Sequence, residues 1–261
     1  LSHADGKFWL IYTNVRTCGA GRPFKDVGIY LATATDITGP WSDPVALNAI
    51  GFDPSLFHDD DGRKWLLNLM WDFRPGRNRF AGIVLQEYDH VRQQLVEPMT
   101  NVLAKDVLTE GPNLYRRDGW YYLLLAEGGT GWNHGISMAR SRAITGPYEL
   151  DPQLSVVTTR DAPECPLQKA GHGELVQTPA CEWYLVHLAS RPVRVGDRRC
   201  CILGRETCLQ RVAWSTDGWL RLADGGTRPQ LTVAAPSAVA PHPWPTAPTR
   251  DDFDAPQLDF S

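Results

Sequence analysis

The chain has 261 residues, 43% of them hydrophobic, and a formal net charge of −4 from 26 basic and 30 acidic side chains. That is enough for one large domain or two ordinary ones with a sizeable core. The charges are spread along the chain, with no basic stripe for nucleic acid, no polybasic segment for a membrane surface and no apolar run long enough to cross a bilayer. The balance suits a neutral small molecule or polymer.

A turn followed by an aromatic strand recurs along the chain. It first appears as Asp5-Gly6 before Lys7 to Tyr12, then as Asp61-Gly62 before Arg63 to Leu67. It returns as Asp118-Gly119 before Trp120 to Leu124, and in degenerate form as Ala180-Cys181 before Glu182 to Val186. A shortened echo is Asp217-Gly218 before Trp219 to Leu222. The first three turns are 56–57 residues apart, within the range of propellers and other arrays. Asp-Gly between aromatic and β-branched runs is a hairpin signal. A second element, Ala34 to Trp41, matches Ser141 to Tyr148, and each copy ends a strand-like run with Gly-Pro. Helical periodicity is hard to find anywhere. The expectation is an all-β chain of about four propeller blades at roughly 1–48, 49–105, 106–165 and 166–226. Residues 227–249, rich in Pro and Ala from Ala234 onward, read as a linker.

The six cysteines, Cys18, Cys165, Cys181, Cys200, Cys201 and Cys208, show neither CxxC nor zinc spacing. They read as reduced thiols, which points to the cytoplasm. The chain opens on Leu1-Ser2-His3 and reads as starting within a longer protein.

Three ionisable residues precede these turns by one offset. Asp53, Glu110 and His172 each stand eight residues before Asp61, Glu110's partner turn at Asp118, and Ala180 respectively. Equal offsets in consecutive repeats predict that all three point at one axis, from the start of each innermost strand. Two carboxylates sharing a site push one pKa up. A raised Glu110 then serves as general acid, with Asp53 beside it. Glycoside hydrolysis needs such an acid, and in inverting enzymes a base carboxylate about 6.5–9.5 Å away.

His172, between Gly171 and Gly173, reads either as a satisfied core histidine or as a ligand for an ion or ordered water. Arg205 reads either as a clamp on a carboxylate or sugar hydroxyl, or as one half of a surface ion pair with Glu206. Trp9, Trp65, Trp120 and Trp183 recur with the repeat and are assigned to packing. Trp71 and Trp132 break the repeat and are candidate sugar-stacking platforms. The Gly-rich run around Trp132 lacks the Lys-Ser/Thr of a phosphate loop.

These stretches resemble family 43 of the glycoside hydrolases, in its β-xylosidase branch. The similarity is carried by Phe52-Asp53-Pro54-Ser55-Leu56-Phe57, Phe80 to Tyr88, Thr109-Glu110-Gly111-Pro112, Ala126 to Gly131, Leu167 to Gly173 and Leu203 to Thr207. It implies a five-bladed β-propeller and an inverting exo-β-1,4-xylosidase acting on xylo-oligosaccharides. The alternatives are an α-L-arabinofuranosidase acting on arabinose-containing oligosaccharides and a non-catalytic carbohydrate-binding propeller. It implies Glu110 as acid, Asp53 as the carboxylate tuning it, Arg205 on the sugar, and His172 facing a cavity where some members hold Ca2+. No other cofactor is implied, and a homo-oligomer of the full-length protein stays open. The family's general base lies on a first blade with no counterpart here, and residues 250–261 resemble the opening of a truncated β-sandwich. The expectation is therefore a fragment with acid and modulator but no base, with little turnover by itself.

Overall fold

The computed structural model describes residues 1–17, 25–237 and 239–240, so Cys18 and residues 241–261, with the end of the linker and the sandwich segment, lie outside the described residues. Every regular element among the described residues is a β-strand. The first sheet holds β1 (Ser2–Ala4), β2 (Lys7–Thr17), β3 (Asp26–Ala34) and β4 (Val45–Asn48) in sequence order. The second holds β5 (Gly51–His58), β6 (Lys64–Trp71), β7 (Phe80–Asp89) and β8 (Gln94–Leu103), again in order. The third holds β9 (Thr109–Arg117), β10 (Trp120–Glu127) and β11 (Gly135–Ser141), with β12 (Glu149–Leu150) and β13 (Val157–Thr158) both pairing with β11. The fourth is β14 (Gln168–Gln177), β15 (Trp183–Ser190), β18 (Glu206–Trp214) and β19 (Leu220–Leu222). A separate hairpin, β16 (Val193–Val195) and β17 (Arg198–Cys200), is inserted between β15 and β18. These are four antiparallel propeller blades, and their bounds follow the repeats read from the sequence.

The hydrophobic pattern explains the layering. β6, apart from Lys64 and Asn68, and β10, apart from Glu127, are apolar and mostly buried, as expected of strands covered on both faces. β8 is mostly exposed and carries Pro98, a residue that sheets tolerate at an edge. The cores lie between sheets. Trp9 and Leu31 meet Leu56 and Tyr88 between the first and second. Leu67, Leu69 and Leu85 meet Leu114, Leu123 and Leu125 between the second and third. Tyr122, Ile136 and Met138 meet Leu175, Leu185 and Leu220 between the third and fourth. Trp9 and Trp65 are buried in these layers, and Trp120 and Trp183 pack against them, as the repeat implies.

Each junction also carries an ion pair. Lys64 Nζ lies 2.6 Å from Asp5, Arg116 Nη1 2.7 Å from Asp59, and Arg221 Nη1 2.5 Å from Asp151. In all three one partner is almost fully buried (Lys64, Asp59 and Asp151), so the pairing offsets a desolvation that would otherwise oppose folding.

The linker reading fails at its start. Residues 227–237 run along the third and fourth sheets. Thr158 N–H donates to Thr227 O at 2.9 Å, and the Gln210 side chain forms reciprocal bonds of 2.9 Å with the Gln230 backbone. Tyr184 Oη donates to Ala234 O at 3.0 Å, and Ser237 bonds Glu182 at 2.9 and 3.0 Å. Side chains of β15 and β18 thus pair the backbone of a strap, whose Pro and Ala content hides its anchoring.

Candidate active site

Three of the four innermost strands, β5, β9 and β14, are bulged near their start. On β5, Phe52 pairs with Leu69 and Ser55 with Leu67, leaving Asp53-Pro54 opposite one residue. On β9, Glu110 pairs with Ala126 and Asn113 with Leu124, leaving Gly111-Pro112 opposite one. On β14, Gly171 pairs with Leu188 and Gly173 with His187, leaving His172 unpaired. The first bulge residues, Asp53, Gly111 and His172, have φ of +53°, +55° and +55°. A bulge re-aims side chains, and its unpaired second position suits proline, which has no N–H to pair.

This register corrects the equal-offset argument. The structural equivalents are Asp53, Gly111 and His172; Glu110 matches Phe52. The offsets agree only because the turn after β5 is longer: β5 and β6 close at His58 with Lys64, whereas β9 and β10 close at Arg117 with Trp120. The predicted convergence survives, since Glu110 immediately precedes the bulge that faces Asp53.

Asp53 and Glu110 form an electrostatic pair. Burial, and then the charge of Asp53, push Glu110 up to about 7, against the fields of Arg205 and Lys25. Burial raises Asp53 too, opposed by His172, Arg205, Lys25 and a hydrogen bond from the Gly111 N–H. Glu110 is 7% exposed, so the shift reflects a site that water hardly reaches. The arrangement gives a carboxylic acid able to donate its proton near neutral pH.

A cavity of about 470 Å³ opens beside the pair, with walls that include Thr13, Asp53, Gly111, His172 and His187. Glu110 and Arg205 are not part of its wall. The His172 ring packs on Gly111 so closely that a Cβ there would lie 2.8 Å from Nε2. Behind it, Gly171 rests on the buried His134, where a Cβ would lie 2.1 Å from Cδ2. Burial pushes His134 down to about 4, and its Nδ1 sits 3.0 Å from Glu127 O. His134, Gly171, His172 and Gly111 therefore stack in series behind Asp53.

Arg205 does not pair with Glu206. That carboxylate is held by Arg191 at 2.5 Å, while Arg205 projects its field onto Asp53 and Glu110. Trp71, at the end of β6, lies in an aromatic group with Phe52, Phe73 and Phe80 at centroid distances of 5.3, 5.9 and 4.8 Å. Lys25 Nζ sits over its ring at 4.7 Å. Trp132 is not an open platform: Arg199 Cζ and Lys169 Nζ lie 3.9 and 4.7 Å from its ring centroid. Ca2+ takes six to eight oxygen ligands. His172 offers one imidazole, and among the described residues no three His, Cys, Asp or Glu side chains are grouped to hold a metal. The protein groups present do not fit a calcium cage.

Sequence reasoning missed Lys25, His134 and His187. Lys25 acts from the first sheet, and no local pattern marks it. His134, just before β11, and His187, within β15, are buried positions recognisable only once the sheets are assembled.

The model of Glycosyl hydrolases family 43 matches residues 1–220. The chain belongs to this family. Among curated relatives it is 51% identical to the "Xylosidase/arabinosidase 43B" of Humicola insolens, over 91% of this chain and 44% of that protein. It is 45% identical to the "Beta-xylosidase" of Bacillus subtilis (strain 168), over 100% and 50%. Among solved structures, the xylan β-1,4-xylosidase from Bacillus halodurans C-125 superposes with a TM-score of 0.91 at 55% identity, covering 98% of this chain and 48% of that one. The family 43 chain thus spans about half the length of these relatives.

Proposed function

We propose that this chain carries the proton-donating part of a glycosidase that releases xylose from the non-reducing end of xylo-oligosaccharides. Glu110 protonates the departing oxygen. Asp53, next to it across the bulges, keeps that proton in place by its charge and hydrogen-bonds the sugar. Arg205 contacts the sugar at the bond cleaved. The observation carrying this reading is a buried Glu110 whose pKa lies at about 7 beside Asp53. The names of the relatives from B. subtilis and B. halodurans support xylose as the sugar.

An acid role predicts a dependence on the leaving group. Xylobiose departs as a poor leaving group and needs the proton; nitrophenolate does not. In the full-length protein, Glu110→Gln is expected to slow xylobiose hydrolysis by about 10²–10⁴-fold, to affect nitrophenyl xyloside far less, and to leave sugar affinity in place. Equal losses on both substrates would remove the acid assignment. In the full-length protein, binding of sugars with no turnover of either, before and after substitution, would favour a carbohydrate-binding propeller.

Arabinofuranose is the second reading. It is supported by a relative of Bacteroides ovatus, named "Non-reducing end alpha-L-arabinofuranosidase BoGH43B", at 34% identity over 97% of this chain. Rates of the full-length protein on nitrophenyl α-L-arabinofuranoside and β-D-xyloside, compared side by side, separate the two.

A further inference from the structure

A basic lip stands on the same end of the sheets as the acid pair. The loop carrying Trp132 follows β10, whose last residue Glu127 pairs with Thr109 beside Glu110. β14 starts at Gln168, paired with Ser190 at the end of β15, and the β16–β17 hairpin follows directly. Trp132, Lys169, Arg194 and Arg199 therefore share the end at which Asp53 and Glu110 lie.

The lip is a built arrangement. Gln168, 1% exposed, donates its amide to Ala162 O and Cys165 O at 2.7 and 2.8 Å, and its Oε1 accepts from Arg199 Nη1 at 3.2 Å. A buried amide thus holds the Arg199 guanidinium over the Trp132 ring. In the hairpin ladder Arg194 is directly opposite Arg199. Like charges placed opposite one another across a ladder oppose its formation. Acidic residues do not relieve them. Among the described residues Lys169, Arg194, Arg198 and Arg199 have no carboxylate within ion-pair distance, although Asp197 sits in the turn of the same hairpin and neighbouring Arg191 is held by Glu206. Among the described residues, a chain with more acids than bases leaves four cations of β14 and the hairpin without an ion pair.

We propose that this lip binds the carboxylate of a uronic-acid substituent on the oligosaccharide. The proposal rests on the function proposed above. A guanidinium stacked on an indole keeps its N–H edge for a planar, two-point contact with a carboxylate. Arg194, across the ladder, adds a second charge, and Lys169 a third.

The test compares a glucuronic acid-branched xylo-oligosaccharide with the same compound after reduction of its carboxyl to an alcohol, by calorimetry on the 261-residue chain. Expected is about tenfold tighter binding of the acid at low salt, most of it lost at 0.5 M NaCl through screening. Arg199→Lys and Arg194→Ser should each bring the acid-to-neutral ratio towards one. Arg228→Ser, in an exposed pair with Glu164, should leave the ratio unchanged. Equal binding of acid and reduced sugar would overturn the lip and leave the proposed function standing. An acid preference that survives both lip substitutions would also overturn it. Binding of neither compound would overturn both readings.

Discussion

β5 has a carboxylate at each end, and the two are handled in opposite ways. Asp59, just past its last residue, takes Arg116 Nη1 at 2.7 Å and the Tyr121 hydroxyl at 2.8 Å. Asp53, at its bulged start, receives a backbone N–H from Gly111 and is left with a raised pKa. The same residue type in the same strand thus serves two ends. Where its partners are complete it ties one sheet to the next. Where they are incomplete it holds a neighbouring acid in its protonated form. The hairpin end of this propeller is built for cohesion, and the mouth end tolerates electrostatic stress for chemistry.

That contrast can be broken first at Glu110. Its ordinary value is 4.5 and its folded value about 7, so folding takes up a proton between those pH values. Native stability from this group therefore falls as pH rises from 4.5 to 7 and stays low above. Glu110→Gln removes the burden and is expected to stabilise the chain by up to about 3 kcal/mol at pH 8, and hardly at all at pH 4. Denaturant midpoints at the two pH values check this. A variant less stable at pH 8 would mean that the mouth is not strained.

At the other end the sign reverses. Asp59→Ala leaves the Tyr121 hydroxyl unpaired and Arg116 with only the exposed Asp60, and should cost about 2 kcal/mol, discounted because Arg116 is 37% exposed. Urea unfolding measures it; activity per folded molecule should not change.

How far the sequence revealed these two ends differs. The hairpins were readable because Asp61-Gly62 and Asp118-Gly119 sit between strand-like runs, and so were the four sheets. The mouth was readable in its residues and not in its register. Counting from the turns made Glu110 the equivalent of Asp53, because a turn's length is invisible until its ladder closes. Gly111, the true equivalent, carries no side chain to attract notice. Trp132 was marked by its break from the repeat, but Lys169 and Arg199 reach it from another sheet and another hairpin. The strap at 227–237 was hidden for a similar reason: the bonds between Gln210 and Gln230 depend on tertiary placement, and Pro and Ala predict only the lack of a strand.

Gly111→Ala sharpens the comparison within the mouth. The new Cβ would meet the His172 ring at 2.8 Å, at a φ of +55°. A loss of about 1–2 kcal/mol is expected from the left-handed backbone and the displaced ring. The hydrogen bond to Asp53 moves with it, so the rate should fall beyond what the lost stability explains. A variant with native rate would show that the bulge does not position Asp53. The smallest effect is expected of Asp53→Asn on pH dependence. Removing the second cause of the raised Glu110 value leaves burial in place, so the basic limb of the pH–rate profile should move down by about one pH unit or less.

The most direct measurement is the titration of Glu110 itself, followed through its side-chain carboxyl carbon by NMR in the chain labelled at glutamate and assigned with Glu110→Gln. The account predicts a midpoint near 7 that falls when Asp53 is replaced by Asn. A midpoint near 4.5, unmoved by that replacement, would contradict it.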